Sequence, residues 1–191
     1  LLSLILAIHE VDGIERIRLG SLEPRIITEE FVQTIAQLPK MCPHFHLSLQ
    51  SGCNATLKRM NRRYTSEEYY EKCRLLRKYF RNPALTTDVI VGFPGETEED
   101  FEETLDVVRK VRYDSVYSFI YSKRTGTPAA TMEDQVSEDV VKERFARLLA
   151  VIHEISTEIT DAKEGEIVEA LMEEVNDHDE NLITGRLSSN A

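Results

Sequence analysis

His44-Phe45-His46-Leu47-Ser48-Leu49-Gln50-Ser51 alternates strictly between two kinds of side chain. Successive residues of an extended chain point to opposite faces, so Phe45, Leu47 and Leu49 share one face and His44, His46, Ser48 and Gln50 the other. The first face is built for a core. The second is polar, and fits either a solvated surface or the lumen of a barrel. Helical sequence on both sides of the run favours the lumen, because a parallel strand flanked by crossover helices is buried on both faces.

Outward from this strand the same rhythm recurs. Upstream, residues 14–23 (IERIRLGSLE) read as a strand, and the helix IITEEFVQTIAQLP that follows is stopped by Pro39. Downstream, residues 54–80 are helical with a break near Tyr64, and Thr65-Ser66-Glu67-Glu68 has the form of a capping box. Leu85–Phe93 is a strand rich in Thr, Val and Ile that runs into Gly92-Phe93-Pro94-Gly95-Glu96-Thr97. Thr97-Glu98-Glu99-Asp100 opens the next helix, which keeps Phe101, Leu105 and Val108 on one side. Residues 114–122 (DSVYSFIYS) form a fourth strand, and the last helical run starts at Ser137.

Four strands, each leaving into a loop and most then into a helix, predict an α/β fold of repeated βα units on a parallel sheet with right-handed connections. The sheet is open or a partial barrel, with about half the units of a closed eight-unit barrel. Beyond Gly165 the rhythm stops. Residues 166–175 and 181–187 alternate like strands around the polar Asn176-Asp177-His178-Asp179-Glu180. The chain therefore divides into an α/β domain over residues 1–163 and, over 164–191, the start of a small β domain.

The bulk numbers set limits on function. In 191 residues, 41% are hydrophobic, 30% are charged, and the formal net charge is −11. This suits a soluble cytoplasmic protein and counts against a general grip on nucleic acid, which leans on Lys and Arg. The cluster Arg59, Arg62 and Arg63 reads as a solvated basic helix face, and such a local patch is still compatible with RNA. LLSLILAIHE is too short and too soon charged to span a membrane, lacks the form of a secretory leader, and reads as the apolar face of a helix. Both termini read as cut boundaries. Cys42, Cys53 and Cys73 fit neither a C-x-x-C pair nor a zinc site, and are expected as reduced, partly buried thiols.

In parallel α/β sheets ligands bind at the carboxyl ends of the strands. Here those ends are Ser21–Pro24, Gln50–Cys53, Gly92–Thr97 and Ser122–Pro128, all rich in Gly, Pro and small polar residues. Gly92 and Gly95 would let a ligand approach the backbone, or simply make an ordinary strand–helix turn. Gln50, with His46 and Ser48, points a polar stripe one way. Lys123 and Arg124 beside Gly126 suit a carboxylate, a phosphate or a nucleotide, or are simply solvated loop surface.

Three of these segments together carry a resemblance. HLSLQSGCNATLKRMNRRYT, TTDVIVGFPGETEEDFEET and YSKRTGTPAA are similar, in order and spacing, to segments of the radical-SAM tRNA methylthiotransferases. The likeness covers nearly the whole chain, including a C-terminal stretch similar to the start of an RNA-binding TRAM domain. RIRLGSLEP resembles the branch acting on threonylcarbamoyladenosine next to the tRNA anticodon.

The resemblance implies the C-terminal part of a partial (βα)6 barrel, covering its third to sixth units. It also implies S-adenosylmethionine and two 4Fe–4S clusters as cofactors of the whole enzyme, the tRNA anticodon stem-loop as substrate, and methylthiolation at adenine C2. Carried over by position, Gln50, Ser51, Gly92, Pro94, Gly95 and Arg124 border the S-adenosylmethionine, and Arg62 is set for its carboxylate. Glu23, Gly126 and Thr127 border the substrate. Cys53 is expected as a tolerated small residue. The family's C-x3-C-x2-C loop is missing from these residues, so this chain by itself is expected neither to bind the cluster nor to catalyse. Two other classes stay open: a different radical-SAM lyase or oxidase, and a non-catalytic RNA-binding module.

Overall fold

A computed structural model describes residues 1–190. The chain opens with helix α1 (Leu2–His9), whose Ile5 is buried while Leu1, Leu4 and Leu6 stay exposed. A short strand β1 (Ser21–Leu22) leads through a 3-10 turn to α2 (Glu29–Ile35). Next come β2 (His44–Leu47), α3 (Asn54–Arg59), α4 (Ser66–Tyr79) and β3 (Ala84–Val91). Then follow α5 (Glu98–Val111), β4 (Ser115–Ile120) and the long α6 (Glu138–Asp161).

The first four strands form one parallel sheet in the order β1-β2-β3-β4, with helical segments between successive strands as expected of βα units. Phe45, Leu47 and Leu49 of the β2 segment meet Leu85, Val89 and Val91 of the β3 segment on the helix side of the sheet. Phe31, Tyr69, Leu76, Phe101, Leu105 and Val108 of the helices close over them in one continuous core. Burying a side chain of this size contributes roughly 1.5–3 kcal/mol, so this face holds the domain together. The opposite face carries His44, His46, Ser48, Thr86 and Asp88 and is the open lumen of the partial barrel.

Local choices follow the sequence at most ends. Thr65 and Glu68 form the capping box of α4, and Thr97 and Asp100 that of α5. The break before α4 falls at Asn61, whose φ is 57°. Two expectations need correction. The strand expected over residues 14–23 pairs only at Ile17 and at Ser21–Leu22. Between these points four steps of this segment face five of its neighbour, from Met41 to His46, and Pro43 there has no N–H to donate. The helix expected from Ile26 starts at Glu29, because the Thr28 hydroxyl takes the Phe31 N–H and fixes the cap.

Residues 170–187 make an antiparallel hairpin of β5 (Ala170–Asn176) and β6 (Asp179–Leu187) with a turn at the polar 177–178. It meets the sheet domain through Arg16, which bonds Glu169 and the Arg186 carbonyl, and through Arg18, which bonds the Leu187 carbonyl. No helix is long and apolar enough to cross a membrane among the described residues.

Candidate functional site at the carboxyl ends of the strands

Two cavities sit side by side where the parallel strands end. The larger, about 550 Å³, is lined by Gln50, Asp88, Ile90, Phe93, Phe119 and Tyr121 with Ser122, Arg124 and Thr127 of the loop after β4. The smaller, about 280 Å³, is lined by Ser21, Leu22, Glu23, Pro24, Ser48, Gln50, Arg62 and Tyr64. Gln50 belongs to both walls.

Its position is built with care. The ladder of β2 ends at Leu47, and the chain rejoins β3 at a single bridge. There Gln50 N–H donates to the Asp88 carbonyl at 2.8 Å and Ile90 N–H to the Gln50 carbonyl at 2.9 Å. Gln50 has φ of 67°, a left-handed conformation that side chains other than glycine rarely take. The Tyr64 hydroxyl lies 2.9 Å from the Ser48 carbonyl and 3.1 Å from that of Leu49, securing the strand end from the other side. Burial pushes the Tyr64 pKa up to about 12, so it stays a neutral donor.

Below Gln50 the lumen face is polar and internally bonded. Ser48 donates to Asp88 Oδ2 at 2.8 Å, and His46 Nε2 lies 3.1 Å from the same oxygen. His46 Nδ1 is 3.0 Å from Thr86 Oγ1, which in turn is 3.3 Å from His44 Nε2. Desolvation, with help from the nearby Arg18 and His46, lowers the His44 pKa to about 4.

The residues expected at the site separate into three groups. Gln50, Arg124 and Thr127 share the larger cavity, and Glu23, Gln50 and Arg62 the smaller. Gly126, with φ of 85°, shapes the turn in which the Thr127 hydroxyl donates to the Arg124 carbonyl. Ser51, Gly92, Pro94 and Gly95 stand behind the site as its frame. The Ser51 hydroxyl turns to Thr104 Oγ1 at 3.2 Å and receives the Cys53 N–H. Gly92 is packed where a Cβ would come within 2.5 Å of Val141, and Gly95 lies against Arg59.

Glu96 is also part of the frame. Its carboxylate takes the Gly92 N–H at 3.0 Å and pairs with Arg144 of α6 at 3.0 Å, both side chains being almost fully buried. Burial raises the Glu96 pKa, against the pull of Gly92 and Arg144. Arg59, read in sequence as part of a solvated basic face, instead bonds Asp100 at 2.6 Å, tying α3 to α5. Sequence reasoning missed Asp88. Its signal was a lone carboxylate within the apolar Leu85–Phe93 run, at the same parity as Thr86 and Ile90.

Residues 1–108 match the family described as the Radical SAM superfamily. The chain belongs to the radical SAM superfamily. This radical SAM chain is 51% identical over 187 residues to the tRNA-2-methylthio-N(6)-dimethylallyladenosine synthase of Lachnoclostridium phytofermentans, covering 98% of this chain and 41% of that protein. It is 49% identical to the synthase of the same name from Alkaliphilus oremlandii, covering 98% and 40%. The chain thus spans about two fifths of the length of the curated relatives it matches. Among solved structures, coproporphyrinogen III oxidase (HemN) from Escherichia coli, titled a radical SAM enzyme, superposes with a TM-score of 0.62. That match has 19% identity and covers 73% of this chain and 32% of that one, a likeness of fold.

An iron–sulfur cluster does not fit the residues present. Cys42, Cys53 and Cys73 are free, buried and dispersed, and no group of three or more His, Cys, Asp or Glu side chains suited to a metal ion occurs among the described residues. Cys53 donates to Asp100 at 3.1 Å, and burial raises its pKa to about 11, so it is an inert thiol. The strand ends do fit a nucleoside-bearing ligand. They combine a side-chain amide, hydroxyls and a guanidinium with the flat apolar walls of Phe93, Phe119 and Ile90.

Proposed function

We propose that this chain forms the S-adenosylmethionine and substrate wall of a radical-SAM tRNA methylthiotransferase, acting on C2 of an N6-modified adenosine in the anticodon stem-loop. The observation that carries the reading is Gln50, shared by two adjoining cavities at the strand ends. Cofactor and reacting partner would lie side by side across these adjoining cavities, where a single amide can touch both. Relatives about half identical over nearly the whole chain support the reaction class. Their names also favour dimethylallyl over threonylcarbamoyl as the N6 substituent, and we give up the threonylcarbamoyl reading of RIRLGSLEP on that ground.

In this proposal Gln50 and Arg124 hold the cofactor by its polar edges, and Arg62 takes its carboxylate. Ser51, Gly92, Pro94 and Gly95 set the backbone around it. Glu23, Gly126 and Thr127 face the tRNA. The protein's contribution is binding, orientation and exclusion of water. The hairpin within residues 164–190 is the start of a TRAM-like domain that adds RNA contacts. The enzyme works in the cytoplasm. Its clusters, two in the whole enzyme, take their ligands from outside the residues described, and the chain alone is inactive.

The test uses the longer protein that carries this chain. Gln50→Ala and Arg124→Ala are each expected to weaken S-adenosylmethionine binding about tenfold, since each removes a hydrogen bond to a charged or polar group. Calorimetry reads the affinity, and mass spectrometry of digested tRNA reads the loss of the methylthio-adenosine. Wild-type affinity in both folded variants would overturn the assignment.

A further inference from the structure

Asp88 stands apart from the rest of the lumen face. Ser48 and His46 both bond its Oδ2, at 2.8 and 3.1 Å, and Oδ1 takes part in neither bond. A quarter of its side chain remains exposed, and it lines the larger cavity. The register of β3 and β4 places Tyr117 directly beside Asp88, and Phe119 beside Ile90, on the same face. These two aromatics are 50% and 51% exposed, an unusual amount for rings on a sheet face, and the His46 ring packs on Tyr117 at 5.6 Å. The lumen thus presents one fixed, outward acceptor next to an aromatic platform. An adenine with a single substituent on N6 has ring nitrogens that only accept and one N–H that donates. Among the polar side chains lining the cavity, Asp88 is the carboxylate, an acceptor without a donor of its own.

We propose that Asp88 Oδ1 recognises the substrate base by accepting its N6–H, while Tyr117 and Phe119 stack against the ring. This rests on the function proposed above and adds the residue that reads the base. His46 and Ser48 act through Asp88: by occupying Oδ2 they fix the plane of the carboxylate, so that Oδ1 is aimed before the base arrives. A donor–acceptor bond to a partly buried carboxylate also explains discrimination, because a base with an acceptor at the same position would place two lone-pair atoms together.

The experiment compares two anticodon stem-loop RNAs in the holoenzyme. One carries N6-dimethylallyladenosine. The other carries 6-dimethylallyloxypurine riboside, in which an ether oxygen replaces the N–H at nearly unchanged shape. Fluorescence anisotropy should give at least about tenfold weaker binding of the ether RNA to the wild-type protein, and a smaller preference, near onefold, with Asp88→Ala. Equal binding of both RNAs by the wild-type protein would overturn the proposal, whether or not the variant folds. So would an Asp88→Ala protein that keeps the full preference, or one that keeps it and loses S-adenosylmethionine affinity instead, which would assign Asp88 to the cofactor. If neither RNA binds or is modified, it is the methylthiotransferase reading that fails, a distinct result.

Discussion

His44 lies on the lumen face of β2 with 6% of its surface exposed, and its pKa falls to about 4 from 6.5. The direction sets a pH dependence. Above pH 6.5 the folded and unfolded chains both hold a neutral ring, and the native state keeps its full stability. As pH falls from 6.5 towards 4 the unfolded chain takes up a proton that the folded chain refuses, so stability is lost over that window. The whole effect is about 3 kcal/mol. Urea unfolding at pH 7 and pH 4.5 should therefore differ by more in the wild-type chain than in His44→Gln, by roughly 2–3 kcal/mol. An identical pH response in both proteins would exclude His44 as the cause. At this scale the sequence was partly legible. His44, His46, Ser48 and Gln50 were visibly a polar stripe, but that Asp88 completes it depends on the register of β2 and β3, which no local pattern encodes. The frame role of Ser51, Gly92 and Gly95 was hidden for the same reason. Their partners Thr104, Val141 and Arg59 lie far away in sequence.

The helices show what short-range chemistry does specify. Thr65-x-x-Glu68 and Thr97-x-x-Asp100 read as starts, and each forms a reciprocal capping box. Thr65→Ala should cost about 1 kcal/mol by chemical denaturation, the usual value of such a cap. Asp100→Ala should cost more, by about 1–2 kcal/mol, because Asp100 also accepts from Arg59, Thr56 and Cys53 and so holds α3 to α5. Burial would raise the Asp100 pKa, yet Arg59 and Cys53 outweigh it and the carboxyl stays below its ordinary range. Equal losses for the two substitutions would mean that the α3–α5 tie carries no weight. Where the elements departed from expectation, long-range geometry was responsible. The first strand shortened to Ser21–Leu22 because its neighbour holds one residue more between the pairing points, and Pro43 offers no donor.

Across the whole molecule, the parallel sheet and the terminal hairpin were legible because alternation and helical periodicity are repeated in sequence. The ion pair of Glu96 with Arg144, which fastens α6 to the turn after β3, was not, since 48 residues separate its members. The dispersal of the three thiols yields the prediction proper to this scale. Anaerobic incubation of residues 1–191 with iron and sulfide should leave no broad absorbance near 400 nm after desalting, and a stable, stoichiometric 4Fe–4S spectrum would contradict it. β4 ends the strand order with no further strand beside it among the described residues, and it carries the half-exposed Tyr117, Phe119 and Ile120. An unpaired apolar edge is a template for another chain, and here the restraint is mutual repulsion from a net charge of −11. With an isoelectric point near 5.0, that restraint vanishes in mild acid and weakens in salt. The colloidal stability of this protein is therefore narrowest in the same pH range in which His44 titrates, and dilute solutions keep self-association from masquerading as unfolding.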